Sequence, residues 1–272
     1  MRKISETKKR KALYFILPIL VIFSILIISW TNLSHENPAE RINKKDTVKT
    51  NIISSVKPAT FTDHADNIYY AIGLQQTGLA FSIFEKALTG FINLKSDKRL
   101  NNEKDILTVI DFSKSSTSKR MWIIDLKNKS LLLNTYVAHG RGSGDDMATK
   151  FSNIAESHQS SLGFYVTNET YVGKHGLSLR LDGYDKDINH MARNRAIVIH
   201  GASYVSENFI TKHGRLGRSH GCPAVPEELN ATVIELIKNK TCLFINGKSE
   251  NYQSVYLDNA RAQQYAYSLA SS

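Results

Sequence analysis

The chain has 272 residues, enough for one substantial domain with appendages. Hydrophobic residues make up 42% of it and charged residues 22%, with 12 Tyr and 11 Phe, which excludes a wholly disordered chain. The formal net charge of +10 is not a nucleic-acid-binding signature: Arg2, Lys3, Lys8, Lys9, Arg10 and Lys11, set against Glu6, supply half of it, and the mild remainder suits an anionic polymer surface.

Directly after that basic cluster, residues 12–30 ("ALYFILPILVIFSILIISW") carry no charge. At ~1.5 Å per residue the run is long enough to cross a hydrocarbon core of ~30 Å. Basic residues before it predict that residues 1–30 form a cytoplasmic stub and a transmembrane anchor, with everything after Trp30 translocated. A cleaved signal peptide is the alternative, although its apolar run is usually shorter and only weak small-residue combinations occur near Ser29 and Thr31. Either reading places the working domain outside the cytoplasm.

Residues 31–60 are polar, with isolated apolar positions and two prolines, and read as a tether. Over 61–104 the pattern becomes helical. Ala80, Ile83, Phe84, Ala87, Leu88 and Phe91 lie on one face, and "NIYYAIGLQQ" suggests a further helix before Gly78. These helices are expected to pack on the domain that follows.

From 105 to 250 the period is two. "DILTVIDF", "KRMWIIDL", "SLLLNTYVAHG", "SLGFYVTN", "LSLRLDG", "RAIVIHG" and "TCLFING" read as strands, with "KNK" (127–129) as a hairpin turn. "PEELNATVIELIKNK" (226–240) reads as a helix, with Pro226 in its first turn and Lys238 and Lys240 at its negative end. The expectation is a mainly β domain with few helices. The tail, 251–272, has some helical pattern and says little about function.

The chemistry concentrates around "GRLGRSHGCPAVP". Five of the nine histidines precede glycine, so the dipeptide itself carries no information. His200 differs because "AIVIHG" puts it at the end of an apolar strand, while Cys222 sits in a glycine-punctuated loop. A thiol with a free pKa of ~8.5 needs a base or positive surroundings to act as a nucleophile at neutral pH. His200 can be that base, and Arg215 and Arg218 would add positive potential. Three alternatives stay open at this level. Cys222 can be a buried turn thiol, it can pair with Cys242 in a disulfide, or it can join His139, His200 and His220 in a zinc site, although no metal-ligand spacing supports that. No G-x-S-x-G element marks a serine hydrolase.

"IVIHG" followed by "SHGC", within "VAHGRGSGDD … GFYVTNETYVGKHGLSLRLDG … AIVIHGASYVSENFITKHGRLGRSHGCPAVP", resembles the YkuD-like L,D-transpeptidases, and more closely their murein subgroup, in which proline follows the cysteine. The resemblance implies a β-sandwich or barrel-type catalytic domain acting on peptidoglycan stem peptides without metal or cofactor. It implies Cys222 as nucleophile and His200 as general base, oriented by the carbonyl of Gly201 or a neighbour, with His220 shaping the site. Pro223 has no N–H, so the amides of Gly221 and Cys222 are the expected oxyanion donors. Many family members carry a polar residue shortly after the cysteine, where this chain has Ala224. Arg193, Arg195, Arg215 or Arg218 are the candidates to replace it, with Ser219 and His139 as further cleft residues. Transpeptidation to 3→3 cross-links is the expected activity. An L,D-carboxypeptidase or cross-link hydrolase on the same substrate, or a non-catalytic peptidoglycan-binding scaffold, are the alternatives.

Overall fold

The structure, a computed structural model, describes residues 60–270, so the apolar run 12–30 and nearly all of the 31–60 tether lie outside the described residues. Among the described residues no helix is long and apolar enough to cross a membrane. Helix α1 (Phe61–Ile72) starts where Thr60 and Asp63 form a reciprocal cap: Thr60 Oγ1 accepts from Asp63 N at 3.2 Å and Asp63 Oδ2 accepts from Thr60 N at 2.7 Å. It ends at Gly73, whose φ of 79° suits a left-handed cap. Helix α2 (Phe81–Ser96) lies close on the sheet. A Cβ added at Gly90 would sit 2.0 Å from the Phe164 ring, so only glycine permits this approach.

Eight strands form one sheet: β1 (Ile106–Asp111), β2 (Met121–Asp125), β3 (Ser130–Thr135), β4 (Gly163–Gly173), β5 (Gly176–Gly183), β6 (Val198–Ala202), β7 (Ala224–Pro226) and β8 (Cys242–Asn246). Their order is β3-β2-β1-β8-β4-β5-β6-β7, with β1–β8 and β6–β7 parallel and the other neighbours antiparallel. The two ends of this order meet. Just beyond β3, Ala138 N donates to Ala224 O of β7 at 2.8 Å, and Gly140 bridges Ser219. The sheet therefore curls into a nearly closed barrel, which leaves little free edge.

Period two sorts the strand residues onto two cores. Val109, Trp122, Ile124, Phe164, Cys242 and Phe244 face α1 and α2, whereas Ile110, Ile123, Tyr165, Leu243 and Ile245 face inward with Leu179, Ile199 and Val225. Strands β1, β2 and β8 are covered on both faces, hence their unbroken apolar runs. The first core is closed by helix α5 (Asn259–Ala270) and the turn before it. The buried Asn93 amide of α2 donates to Tyr256 O at 2.8 Å and Asp258 O at 2.9 Å.

Two elements differ from expectation. The single helix expected over 226–240 is a strand end, a 3-10 turn (Glu227–Leu229) and α4 (Asn230–Ile237). Pro226 closes β7 opposite Ala202, and Asn239 and Lys240, at φ 71° and 58°, end the helical path before Lys240 can serve the dipole. Helix α3 (Glu207–His213) carried no usable apolar pattern, because none of its residues is buried; Ser206 caps its start and Gly214, φ 70°, its end.

Candidate active site

His200 is central in β6, between Ser178 of β5 and Ala224 of β7, and only 4% exposed. Its Nδ1 lies 2.9 Å from Gly201 O. A carbonyl only accepts, so Nδ1 carries the proton and Nε2 is left as the basic nitrogen. The His175 ring stacks on it from the β4–β5 hairpin, 4.6 Å between centroids at 26°. Burial first, and then the charges of His175 and Lys174, hold the His200 imidazole below its ordinary pKa, against the opposing pull of the Gly201 carbonyl.

Cys222 enters the same site from the turn before β7. Gly221 makes that turn with φ 123°, and a Cβ there would meet Gln159 O at 2.9 Å. Ser219 staples the turn: its Oγ donates to Cys222 O at 2.6 Å and accepts from Gly221 N at 3.0 Å. Outside the turn, Ser219 N donates to His139 O, Arg141 N to Ser219 O, and Ser160 Oγ to Gly221 O. The half-buried thiol donates to Ala196 O at 3.7 Å, and among the described residues no hydrogen bond joins it to His200. Burial pushes the thiol pKa up, while a Val198 backbone contact, the charges of Arg195 and Lys174, and the residue's own amide work in the opposite direction.

The thiol and His200 line one cleft of about 540 Å³ together with Ser219, His220, Arg218 and Arg195. Its other wall comes from Tyr171, Lys174 and His175 of the hairpin, and from Glu156 and His158. Lys174, Arg195 and Arg218 line it with one carboxylate, Glu156, and even with Asp145 counted against Arg218 the cations are in excess, so the cleft suits an anionic ligand. His220 is exposed, its ring 4.5 Å from His158. The hairpin residues and His158 went unnoticed in the sequence. "VGKHG" between two alternating runs is a turn signal that would have located Lys174 and His175.

Several expectations need correction. His139 does not line the cleft. It is 1% exposed, its Nδ1 accepts from Arg120 Nη2 at 2.8 Å, and burial followed by the Arg120 charge lowers its pKa to about 4. Its carbonyl instead holds the Cys222 loop by accepting from Ser219 N. The Gly221 amide is not a free oxyanion donor, because Ser219 Oγ takes its hydrogen, and Ser219 spends its hydroxyl on the turn. Of the two expected donors, that leaves the amide of Cys222. Arg215 stands outside the cleft, bonded to Leu216 O and paired with Asp145 at 3.2 Å; Arg218 lines the cleft but shares Asp145, at 2.8 Å. Arg193 is tied to Asp182 and Glu169.

Cys222 and Cys242 are free thiols. Cys242 is fully buried in β8 among the helix-facing residues, so the disulfide alternative is not realised. With His139 withdrawn from the cleft, the Cys–His set of the zinc alternative is not assembled either. Among the described residues no group of three or more His, Cys, Asp or Glu is placed to hold a metal ion.

Comparison with solved structures finds an L,D-transpeptidase from Mycobacterium smegmatis, 11% identical, covering 53% of this chain and 59% of that one with a TM-score of 0.33. The helical cell shape determining protein of Campylobacter jejuni is 13% identical, covering 68% and 64%, TM-score 0.35. An L,D-transpeptidase from Stackebrandtia nassauensis is 14% identical, covering 70% and 80%, TM-score 0.31. The chain thus spans about three-fifths of the length of the mycobacterial structure, and likenesses this remote carry no argument about activity. No curated protein matches the chain. A model of the L,D-transpeptidase catalytic domain, in contrast, matches residues 75–246, from the turn after α1 to the end of β8. That match covers more than half of the chain and includes both His200 and Cys222, and the chain belongs to the YkuD-like family of L,D-transpeptidase catalytic domains.

Proposed function

We propose that this domain is a cysteine-dependent peptidoglycan L,D-transpeptidase that forms 3→3 cross-links. The observation that carries the reading is the pairing in one cleft of a half-buried thiol with a histidine whose Nδ1 proton is committed to Gly201 O. In the proposed reaction the Cys222 thiol proton passes to His200 Nε2 and the sulfur attacks the carbonyl at the L-centre of the third stem residue, diaminopimelate. A C–S bond forms, and the C–N bond to the terminal D-Ala breaks as the imidazolium returns the proton to the departing amine. The amine of a second stem then attacks the thioester, an amide forms, and the thiol is released. The backbone amide of Cys222 supplies the oxyanion contact, and His220 shapes the cleft mouth beside His158.

Residues 1–30 anchor the chain in the cytoplasmic membrane and 31–60 tether the domain in the periplasm or cell-wall space. This arrangement rests on the charge asymmetry around the apolar run. The excess of cations lining the cleft supports a substrate rich in carboxylates. A muropeptide profile of cells carrying the wild type or Cys222→Ala tests the reading: 3→3 dimers are expected only with the wild type. Tripeptide monomers without dimers would make water the acceptor, and unchanged profiles would discard the enzyme.

A further inference from the structure

Arg195 is the one cleft arginine without an acid to neutralise it. Arg218 shares Asp145 with Arg215, whereas all four oxygens bonded to the Arg195 guanidinium are neutral. Nη1 donates to Ser152 O at 2.7 Å and Ser161 Oγ at 2.6 Å; Nη2 donates to Gln159 O at 2.6 Å and to Ser157 Oγ at 3.4 Å. Four of its five N–H groups are therefore committed within the protein. A guanidinium so occupied cannot clamp a substrate carboxylate through two parallel bonds, which is how arginine usually recognises one. What it can still supply is its charge.

That charge is held beside the nucleophile. Arg195 lines the cleft with Cys222, precedes Ala196, whose carbonyl receives the thiol hydrogen, and packs so close to the nucleophile's turn that a Cβ on Gly221 would be 3.3 Å from Nη2. We propose that Arg195 is a positioning residue of the proposed active site: a rigid, uncompensated cation that favours the Cys222 thiolate and clamps segment 152–161 against the nucleophile's turn. The inference rests on Cys222 being the nucleophile. It divides the labour among the arginines differently from the expectation that one of them binds the substrate carboxylate.

Other charged and titratable groups line the same cleft as the sulfur, and the test must separate them. His200 stands on β6, Lys174 and His175 on the hairpin, and Tyr204 beyond β6, its phenol pushed up to about 12 by burial and by Cys222. His158 and Glu156 lie on the clamped segment, and Arg218 and His220 on the nucleophile's own loop. Changing Arg195 substitutes none of these groups but releases the segment that carries His158 and Glu156, so Arg195→Lys, which loosens the same contacts while keeping the charge, is the control; the coupling between Arg195 and Cys222 runs in both directions.

The experiment is the pH dependence of iodoacetamide alkylation at Cys222 in the purified full-length chain, followed at peptide resolution so that buried Cys242 does not contribute. In Arg195→Gln the midpoint should move to higher pH, with the rate below it lowered about tenfold per pH unit of movement and the high-pH plateau unchanged. Arg195→Lys keeps the charge but cannot satisfy the four oxygens, so its midpoint should stay near the wild type while its Tm falls. An unchanged midpoint in Arg195→Gln overturns the inference, as does Arg195→Lys moving as far as Arg195→Gln. Should Arg195→Gln fail to fold, the Lys variant decides alone: a retained midpoint supports the inference and a shifted one overturns it. No substrate enters this assay, so failure here leaves the transpeptidase reading standing. Failure of that reading would be seen instead as cross-linking that survives Cys222→Ala.

Discussion

The thiol and the imidazole at the centre of the cleft are pushed in opposite directions by the same cause. Burial disfavours the charged form of each, raising the pKa of Cys222 and lowering that of His200. With the thiol's pKa raised and the histidine's lowered, the resting pair at neutral pH is thiol plus imidazole, and in the proposed reaction charge separates only as the proton is transferred. Cys222 alkylation should therefore rise mainly above the ordinary thiol value of ~8.5, and the acid limb of kcat/KM should lie below ~6.5. A thiolate absorbance band already present at pH 6 would contradict this. His139 gives a second test at this scale. Its folded pKa of about 4 lies below the unfolded ~6.5, so the unfolded chain binds the extra proton and stability is lost as pH falls from ~6.5 towards 4. The loss amounts to about 3 kcal/mol at the lower end, and His139→Gln should flatten the fall of Tm over that window. That Cys222 and His200 share one cleft was legible through the family resemblance, whose "IVIHG" and "SHGC" elements lie close in sequence. His139, Ser219 and Gly221 were not, because their parts depend on which hydrogen bonds are already taken in three dimensions.

Among the elements, the turn that presents Cys222 is tightly constrained. Gly221 combines φ 123° with a backbone oxygen 2.9 Å from any added Cβ, so Gly221→Ala must strain the turn or displace segment 159–161. A cost of about 1–3 kcal/mol is expected in chemical denaturation, with transpeptidation falling more than tenfold because the sulfur moves. An unaltered rate would show the turn to be slack. Helix α2 has the equivalent point at Gly90, where a side chain would meet the Phe164 ring. Sequence periodicity located α2 and seven of the eight strands, since each presents an apolar face at its own period. It passed over β7, whose three residues are too few to show a period.

For the molecule as a whole, the same alternation that builds the strands also decides which helices they can hold. The helix-facing core needs α1, α2 and α5 together, and the tail contributes Tyr256 and Ala262 to it. Truncation after residue 250 should lower Tm substantially. It removes that apolar cover together with the two carbonyls that accept from the Asn93 amide, hydrogen bonds worth about 0.5–1.5 kcal/mol each. A truncated chain with the full-length Tm would show that the tail only rests on the surface. Sequence patterning supplied the mainly β class but not the curl of the sheet, because closure depends on Ala138 meeting Ala224 across 86 positions of chain. That same closure ties the Cys222 loop to the strand end at His139. The most direct test of the account is the intact mass of the protein after mixing with a tetrapeptide stem. A transient adduct equal to the stem minus D-Ala is expected at Cys222, absent in Cys222→Ala and strongly slowed in His200→Ala. An adduct on any other residue, or one formed equally fast without His200, would contradict it.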